Sequence, residues 1–240
     1  MKISVIIPTL NEEEYISGIL EDLQKQTVRP YEILIIDGGS TDKTQEISRK
    51  TKHVQFFTAP KPQGRQRNIA AGIATGEMFL FVDADTRIEP SFLADSLNEI
   101  KKKKLDIAIP RYFPYSEVAN GYLLFVAHFT NFLMIIMQKI NPFGGACGMF
   151  VTKKVFDRTH GFEEKRKIDD IPMVREAVRY GRYGIISTKV RVSERRFLKY
   201  GTVKMSVKYF VLYLLLTVNL YSLADRIDYQ FGEYTNKIKV

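Results

Sequence analysis

The sequence predicts an α/β fold in which helices flank a mostly parallel sheet and an apolar helical segment lies near the C-terminus. Three observations lead to this prediction. Short apolar, β-branched runs alternate with helical patterns over about residues 1–100. These runs are apolar on both faces, as strands buried in a parallel sheet are. Polar residues follow each run directly, where a parallel sheet presents the carboxyl ends of its strands.

The first unit begins with a predicted strand at residues 3–7, a β-branched run that Pro8 is expected to stop. Residues 9–12 form a polar turn, and a helical pattern then continues to Leu23. We therefore expect a strand, a turn and a helix at the start of the chain.

The second unit has its strand at residues 32–36, which end at a turn over residues 37–42. Glycines in this turn permit a tight change of direction. Either Ser40 or Asp42 is expected to cap the helix that runs to about Lys50.

A third strand is predicted at residues 54–57. Residues 64–68 then open a helix that we expect over residues 69–74. The alternation of strand and helix thus continues and favours a doubly wound parallel sheet.

Two carboxylates, Asp83 and Asp85, end the apolar strand predicted at residues 79–82. Ligands of open α/β sheets bind beyond the carboxyl ends of the strands. Two close carboxylates in that position can hold a hard divalent cation, which in turn binds phosphate oxygens. The alternative is a solvated strand end, but the neighbouring motifs favour a ligand site.

Four motifs in order resemble the nucleotide-sugar-binding half of glycosyltransferase family 2, over about residues 1–100. They are Pro8-Thr9-Leu10-Asn11-Glu12, Asp37-Gly38-Gly39-Ser40-Thr41-Asp42, Gly64-Arg65-Gln66-Arg67-Asn68 and Asp83-Ala84-Asp85. The resemblance implies a GT-A-type, Rossmann-like fold and a bound Mg²⁺ or Mn²⁺. It also implies transfer of a sugar from a nucleotide diphosphate with inversion at the anomeric carbon. The donor nucleotide and sugar stay open.

For the nucleoside, the resemblance implies a pocket formed by Pro8, Thr9 and Glu12, with Asp37 hydrogen-bonded to the base. A carboxylate can accept hydrogen bonds from the N–H groups of a base edge. The alternative for Asp37 is an Asx-turn residue that only shapes its own loop.

For the diphosphate and metal, the resemblance places Arg65, or alternatively Arg67, near the base or the diphosphate. Asp83 would face the ribose and contribute to the metal site, and Asp85 would ligate Mg²⁺ or Mn²⁺. The metal would stabilise the departing nucleoside diphosphate.

Inverting transfer also needs a base that takes the proton from the acceptor hydroxyl. The resemblance implies an acidic pair after a Gly-Phe element, and Asp169 and Asp170 follow Gly161-Phe162 here. The family pattern is more often Glu-Asp, and alignment favours Asp170 as the base with Asp169 as its neighbour. The alternative is that both only cap the helix predicted at residues 173–180.

The chain is predicted to be one glycosyltransferase domain over residues 1–240. About residues 1–100 would bind the donor, about 101–200 the acceptor, and about 201–240 would form a membrane-associating or oligomerising helical tail. A small-residue loop at residues 142–151 resembles the family element where acceptor and donor sugar meet, although tight strand packing would also explain its glycines.

Two apolar segments, at residues 118–137 and 209–220, are too short or too interrupted to be convincing membrane spans. The net charge is +9, and a basic stretch leads into the second segment: Arg191, Arg195, Arg196, Lys199, Lys204 and Lys208. This pattern favours peripheral binding to an anionic membrane surface. The alternatives are core helices or a homodimer interface, and Arg195 or Arg196 could instead clamp the donor diphosphate.

Two further features predict the cellular compartment. Cys147 is the only cysteine, which is compatible with a reducing compartment. A core strand at the very start leaves no room for a signal peptide, so we expect a cytoplasmic protein that is peripheral on the cytoplasmic face of the membrane.

Other function classes fit less well. No nucleic-acid-reading motif accompanies the positive charge, so nucleic acid is not an expected partner. No Gly-x-Gly-x-x-Gly follows the first strand, which argues against a dinucleotide-dependent redox enzyme. The expected acceptor is a hydroxyl on a lipid-linked or membrane-associated glycan. The alternatives are a polyprenyl phosphate, a soluble acceptor, or a non-catalytic nucleotide-sugar-binding protein.

Overall fold

A computed structural model describes residues 1–115, 121–166 and 168–227. The strands of the described residues are β1 Ile3–Thr9, β2 Glu32–Asp37, β3 Val54–Thr58, β4 Met78–Phe81, β5 Thr86–Ile88, β6 Ile107–Pro114, β7 Met149–Thr152 and β8 Tyr183–Val192. The helices are α1 Ile16–Gln24, α2 Thr44–Lys50, α3 Gln63–Ile73, α4 Phe92–Lys103, α5 Gly121–Met137, α6 Lys153–Phe156, α7 Asp170–Ala177, α8 Arg195–Tyr200, α9 Thr202–Thr217 and α10 Tyr221–Ala224.

The described strands form one sheet in the order β3-β2-β1-β4-β7-β6-β8-β5. The first four of these strands are parallel to one another. Beyond them, β7 is antiparallel to β4 and β6, β8 is parallel to β6, and β5 is antiparallel to β8. The α/β prediction with flanking helices is confirmed, and the sheet is mixed because its second half adds antiparallel strands.

Apolar and polar residues do not alternate along the strand sequences, because these strands are buried on both faces. Every residue of β1 and of β4 is buried. Val5 and Ile7 pack into the apolar cluster on one face of the sheet, and Ile6 packs into the cluster on the other. Successive side chains of a strand point to opposite faces, so a strand between two apolar layers has no polar face.

Pro8 does not stop β1, contrary to the sequence prediction. The strand continues through Pro8, which pairs with Ile36, to Thr9. The carbonyl of Ile6 bonds toward β4, and Pro8 has the same orientation two residues later, where the pairing with β4 has already ended at Phe81. A proline is tolerated here because its missing N–H breaks no ladder hydrogen bond.

Helix boundaries also differ from those predicted. α3 begins at Gln63, so the motif at residues 64–68 forms its first turns instead of preceding it. α7 begins at Asp170, earlier than predicted. Ser40 does not cap α2, and its hydroxyl donates to Asp37 instead, whereas Asp42 accepts from the first N–H of α2 at 3.0 Å.

The two apolar segments are helical where the structure describes them. The first corresponds to α5, and its predicted residues 118–120 lie outside the described residues. The second begins earlier than predicted, as α9, while residues 228–240 of the predicted tail are likewise outside the description. Among the described helices, none has the length and apolar character needed to cross a bilayer.

Candidate active site

A cleft of about 850 Å³ opens at the carboxyl ends of β1 and β4. It brings together most of the predicted site residues from both halves of the chain. Those that line it are Pro8, Thr9, Glu12, Asp83, Asp85, Asp169 and Asp170. The predicted roles of these residues stay predictions, but their common location at strand and helix ends follows from the parallel topology.

Arg67 joins the two halves of the site. Its Nη1 donates to both carboxylate oxygens of Asp169 at 3.0 Å, and its Nη2 donates to Asp83 at 2.9 Å. The Arg67 side chain is only 3% exposed. A buried guanidinium in such a pair is costly to leave unpaired, so these contacts hold α3, the end of β4 and the start of α7 together.

Close approach of Asp169 depends on a glycine in α3. A Cβ on Gly64 would lie 2.6 Å from Oδ2 of Asp169, closer than two non-bonded atoms can approach. The glycine of this motif therefore leaves space for the carboxylate, and Arg67 in the same helix binds it.

A second arginine, Arg195, connects the other acids. It donates to both oxygens of Glu12 at 2.8 and 2.9 Å and lies 3.0 Å from Oδ2 of Asp85. The antiparallel pairing of β5 with β8 places Thr86 opposite Val192. This register brings the first residue of α8 beside Asp85, a contact that no local sequence pattern indicates.

Burial dominates the electrostatics of Glu12. It raises the pKa of Glu12 to about 7, although the Arg195 guanidinium opposes the shift. Burial raises the pKa of Asp85 as well, again against Arg195. The two acids are held close to a cation in a poorly solvated site, an environment typical of functional carboxylates.

Asp170 has the environment expected for a general base. Its carboxylate accepts hydrogen bonds from the backbone N–H of Ala146 at 3.2 Å and of Ile171 at 2.8 Å. Burial, followed by the negative charge of Asp169, raises its pKa to about 7. A base with a pKa near neutrality can accept a proton and is about half ionised at neutral pH.

Asp37 is fully buried and is not among the residues that line the cleft. One of its oxygens accepts from the N–H groups of Gly39 and Ser40, and the other from the hydroxyls of Thr9 and Ser40. The alternative stated for Asp37, a residue that shapes its own loop, is the arrangement observed. Direct contact with a base stays a prediction that would require it to exchange some of these bonds.

Arg65 lies on the outer side of α3. Its side chain is 48% exposed, and its Nε lies 4.0 Å from Glu164. Arg67, its stated alternative, is the arginine of this motif that lines the cleft. Two residue steps along a helix turn the side chain by about 200°, so Arg65 and Arg67 lie on opposite sides of α3. The contact of Arg65 with the donor stays a prediction.

No individual role was predicted from the sequence for two further residues of the site, Gln63 and Asn68. Gln63 donates to Asp83 at 3.2 Å. The carboxamide of Asn68 donates to the carbonyl of Phe162 and accepts from its N–H, both at 2.8 Å. Gly161 adopts a φ of +73°, and a Cβ there would lie 2.5 Å from Asn68. The Gly-Phe element and the last residue of the α3 motif therefore fit together directly.

The carboxylates fit a divalent cation that arrives with a nucleotide. Asp83 and Asp85 supply hard oxygen ligands, but no group of three or more His, Cys, Asp or Glu side chains in the described part of the chain could hold a metal. Mg²⁺ commonly completes its coordination with substrate phosphates and water. The guanidinium contact to Asp85 shows that positive charge is stabilised at this carboxylate.

The cleft continues away from these acids as an apolar groove between α5 and α9. Six side chains from the two helices define this apolar groove: Phe125, Phe129, Leu133, Val207, Phe210 and Tyr213. One cavity therefore contains both a charged end and an apolar end.

Comparison with known proteins gives a consistent result. The model of the family "Glycosyl transferase family 2" matches residues 4–161. Poly(ribitol-phosphate) beta-N-acetylglucosaminyltransferase TarS of Staphylococcus aureus is 36% identical over 117 residues, 45% of this chain and 20% of TarS. Glycosyltransferase GlyG of Streptococcus pneumoniae is 24% identical over 215 residues, 82% of this chain and 69% of GlyG.

Solved structures share the fold. TarS residues 1–349 in complex with UDP-GlcNAc superimpose with a TM-score of 0.63 at 23% identity, over 80% of this chain and 58% of that one. Mannosyltransferase PcManGT of Pyrobaculum calidifontis, in complex with GDP-Man and Mn²⁺, gives 0.62 at 20% identity, over 78% and 55%. The chain thus spans a fifth of the full TarS sequence that it matches and about three fifths of the TarS structure.

Proposed function

This chain belongs to glycosyltransferase family 2, and on that basis we propose that it is an inverting transferase that moves a sugar from a nucleotide diphosphate sugar to a hydroxyl acceptor. One observation carries the proposal. The donor-side acids Asp83 and Asp85 and the acceptor-side acid Asp170 open into the same cleft. A transferase needs both substrates at one point, with the base on the acceptor side.

In the proposed reaction, Asp170 accepts the proton of the acceptor hydroxyl. The hydroxyl oxygen forms a bond to the anomeric carbon as the bond from that carbon to the diphosphate breaks. The electron pair of the broken bond leaves with the diphosphate oxygen, so proton and charge balance. The hydrogen bonds from Ala146 and Ile171 hold the Asp170 carboxylate in place.

Arg67 acts in this scheme as a positioning residue. By pairing with Asp169 and Asp83 it fixes the distance between the base-bearing helix and the donor site. Asp169 is the neighbour whose negative charge helps to raise the pKa of Asp170, which suits the latter to general-base chemistry.

The donor is assigned to the part of the cleft formed by Pro8, Thr9 and Glu12. The nucleotide sugars in two structural neighbours, UDP-GlcNAc and GDP-Man, support this class of donor. Asp85, with Asp83, would hold Mg²⁺ or Mn²⁺; when bound, the cation supplies positive charge that stabilises the leaving diphosphate. Arg195 would then exchange its single contact with Asp85 for a phosphate oxygen, because a guanidinium binds carboxylate and phosphate oxygens alike.

For the acceptor we propose a hydroxyl on a lipid-linked or membrane-associated glycan. A hydroxyl needs a base, whereas a phosphate acceptor is already ionised, and the environment of Asp170 therefore favours the hydroxyl. The relative TarS, a poly(ribitol-phosphate) beta-N-acetylglucosaminyltransferase, supports a hydroxyl acceptor. The apolar end of the cleft favours an acceptor that carries a lipid.

We also propose peripheral membrane attachment through the exposed apolar side chains of α5 and α9. Phe132 and Ile136 on α5 are 57% and 51% exposed, and Val203 on α9 is 63% exposed. Lys204 is exposed on α9 as well. Apolar side chains beside cations are typical of helices that lie in the membrane interface. The proposed side is the cytoplasmic one.

A thermal-shift screen tests the function. UDP, GDP and dTDP are added singly to the protein with and without Mn²⁺, since a ligand of the native state raises the melting temperature. We expect at least one of them to stabilise the protein more strongly with Mn²⁺ than without it. If no nucleoside diphosphate shifts the melting temperature under either condition, the proposal fails.

A further inference from the structure

The apolar groove is a continuation of the candidate active site and not a separate pocket. Phe125, Phe129 and Phe210 line the same cavity as Asp85 and Asp170. A ligand that extends from the acids into the groove must therefore be polar at one end and apolar at the other. A nucleotide sugar is polar throughout, so it would not occupy the apolar end of the cavity.

The walls of the groove are open to solvent. Phe125 is 65%, Phe129 44%, Val207 56% and Phe210 50% exposed, although all four line the cavity. Phe125 and Phe129 lie parallel, with ring centroids 6.2 Å apart and an interplanar angle of 11°. Large apolar side chains kept exposed along a concave surface indicate a ligand-binding groove.

The position of the base fixes which part of the ligand lies where. Asp170 accepts from the N–H of Ala146, in the small-residue loop that also lines the cavity, so the reacting hydroxyl belongs at this point. Phe143 of the same loop packs on Tyr213 of α9 at a centroid distance of 4.4 Å. The loop thus connects the base directly to the start of the groove.

Cations lie at the same junction. Arg196, on α8, lines the same cavity as Asp85 and Asp170. A phosphate group located between the saccharide and the hydrocarbon of an acceptor would meet this positive charge.

We propose that the groove binds the hydrocarbon chain of a lipid-linked saccharide acceptor while the saccharide hydroxyl lies at Asp170. This inference rests on the proposed transferase function and assigns the place where the hydrocarbon of its acceptor binds. Continuity with the site favours the chain of the acceptor over a bilayer leaflet or a second copy of the protein. A flat leaflet would contact the outward residues Phe132 and Ile136, which do not belong to the lining of the cavity.

The test uses n-hexyl, n-octyl and n-decyl glucoside as probes, below their micelle concentrations, titrated calorimetrically into the full chain. Burial of each methylene group in an apolar site favours binding, so the affinity should rise by about tenfold for each added pair of methylene groups. Phe129→Ser and Phe210→Ser, which change the groove walls, should reduce this chain-length dependence by at least about threefold.

Phe132→Ser is the matched control, because it removes another exposed phenylalanine from the same helix without changing the groove. It should keep the full chain-length dependence. A titration of wild-type protein with UDP and Mn²⁺ is run in parallel, so that failure of the groove assignment is distinguished from failure of the transferase function.

The proposal is overturned if affinity does not depend on chain length while UDP still binds. It is also overturned if Phe132→Ser reduces the dependence as much as Phe129→Ser does, which would assign the probes to a general apolar surface. Loss of a dimer in Phe129→Ser, together with no binding of the glucosides, would assign the groove to self-association and reject the proposal.

Discussion

Arg67 and Asp169 are 102 residues apart in the chain and form a bidentate, buried ion pair, with both Nη1 to carboxylate oxygen distances at 3.0 Å. The pair connects the helix after β3 to the first turn of the helix that carries the candidate base. Since both side chains are largely removed from water, breaking the pair costs more than an exposed salt bridge would. The pair therefore aligns the two parts of the chain that contribute acids to the cleft.

Asp85→Asn tests the metal assignment. The substitution keeps the size of the side chain and one hydrogen-bonding oxygen, so we expect the fold to persist. Loss of the charge should reduce Mn²⁺-dependent binding of UDP by at least about tenfold, because a hard cation prefers carboxylate oxygen. Calorimetric titration with and without Mn²⁺ measures this, with Asp157→Asn at the exposed end of α6 as the control. Wild-type metal dependence in the Asp85 variant would remove this residue from the metal site.

Asp170→Asn tests the base. Transfer should fall by at least about 100-fold, the usual scale for a lost general base, while UDP affinity stays close to that of the wild type. Asp169→Asn should reduce transfer less but destabilise the fold by about 2–3 kcal/mol, because Arg67 loses part of a buried charge-assisted contact. Steady-state kinetics and urea unfolding separate the two effects. If Asp169→Asn is the slower enzyme and retains its stability, the base is Asp169.

The raised pKa of Asp170 predicts how activity depends on pH. The base must be ionised, so kcat/KM should rise with pH and level off above a pKa of about 7. A profile that is flat between pH 5 and 8, recorded with Mn²⁺ saturating, would contradict the assignment of this group. This range of pH extends about one unit or more to each side of the expected midpoint, so the change in kcat/KM falls within it.

The raised pKa of Asp170 makes stability change with pH in the direction opposite to activity. The folded state binds the proton of Asp170 more tightly than the unfolded state does, so its stability falls as pH rises from about 4 to about 7. Asp170→Asn removes this charge and should stabilise the fold at pH 8 by about 1–2 kcal/mol, less than the full shift would give because the hydrogen bonds from Ala146 and Ile171 weaken when the charge is lost. The gain should vanish near pH 4. Equal stability of variant and wild type at both pH values would argue against the raised pKa.

Gly64→Ala tests the close approach of Asp169 to α3. The added methyl group would lie 2.6 Å from Oδ2 of Asp169, so the carboxylate must move and its pair with Arg67 must lengthen. We expect a loss of about 1–3 kcal/mol in the free energy of unfolding. Gly72→Ala in the same helix is the control, because nothing lies within 4 Å of its Cβ position, and it should stabilise by about 0.5–1 kcal/mol. Similar effects of the two substitutions would show that Asp169 does not require this space.

Membrane attachment is tested by co-sedimentation with vesicles of rising anionic lipid content. Binding should increase with anionic lipid and weaken at high salt, because cations near the surface contribute up to about 1 kcal/mol each and are screened. Replacement of Lys204 and Lys208 by Gln should weaken binding, whereas the same change at Lys101 and Lys102, at the solvated end of α4, should not. Salt-insensitive binding, or no sedimentation with any vesicle, would reject this form of attachment.

Strand positions were predictable because a strand buried on both faces leaves an uninterrupted apolar run, as β1, β2 and β4 do. The location of Asp83 and Asp85 at a strand end follows from the same pattern. Helix starts were less accurate, since α3 and α7 begin without a side-chain cap hydrogen bond at the N-cap residue.

The partners of the acids could not be predicted. Arg195 and Glu12 are 183 residues apart, and they meet only because β5 pairs with β8 at the edge of the sheet. Such a contact depends on the tertiary register, which no local periodicity contains. Which of Arg65 and Arg67 lines the cleft depends on how α3 is rotated about its axis. This rotation follows from the start of the helix at Gln63, which the sequence did not indicate.

The carboxamide of Asn68 hydrogen-bonds to Phe162 in the way that a backbone peptide group would. The side chain offers one donor and one acceptor to the backbone of Phe162, as a neighbouring strand would. Phe162, at the start of the segment that leads to the candidate base, is anchored by these hydrogen bonds and by the burial of its ring. We therefore expect insertions after Phe162 to be accommodated in the loop, whereas Asn68→Asp, which cannot donate to the carbonyl, would release the anchor itself.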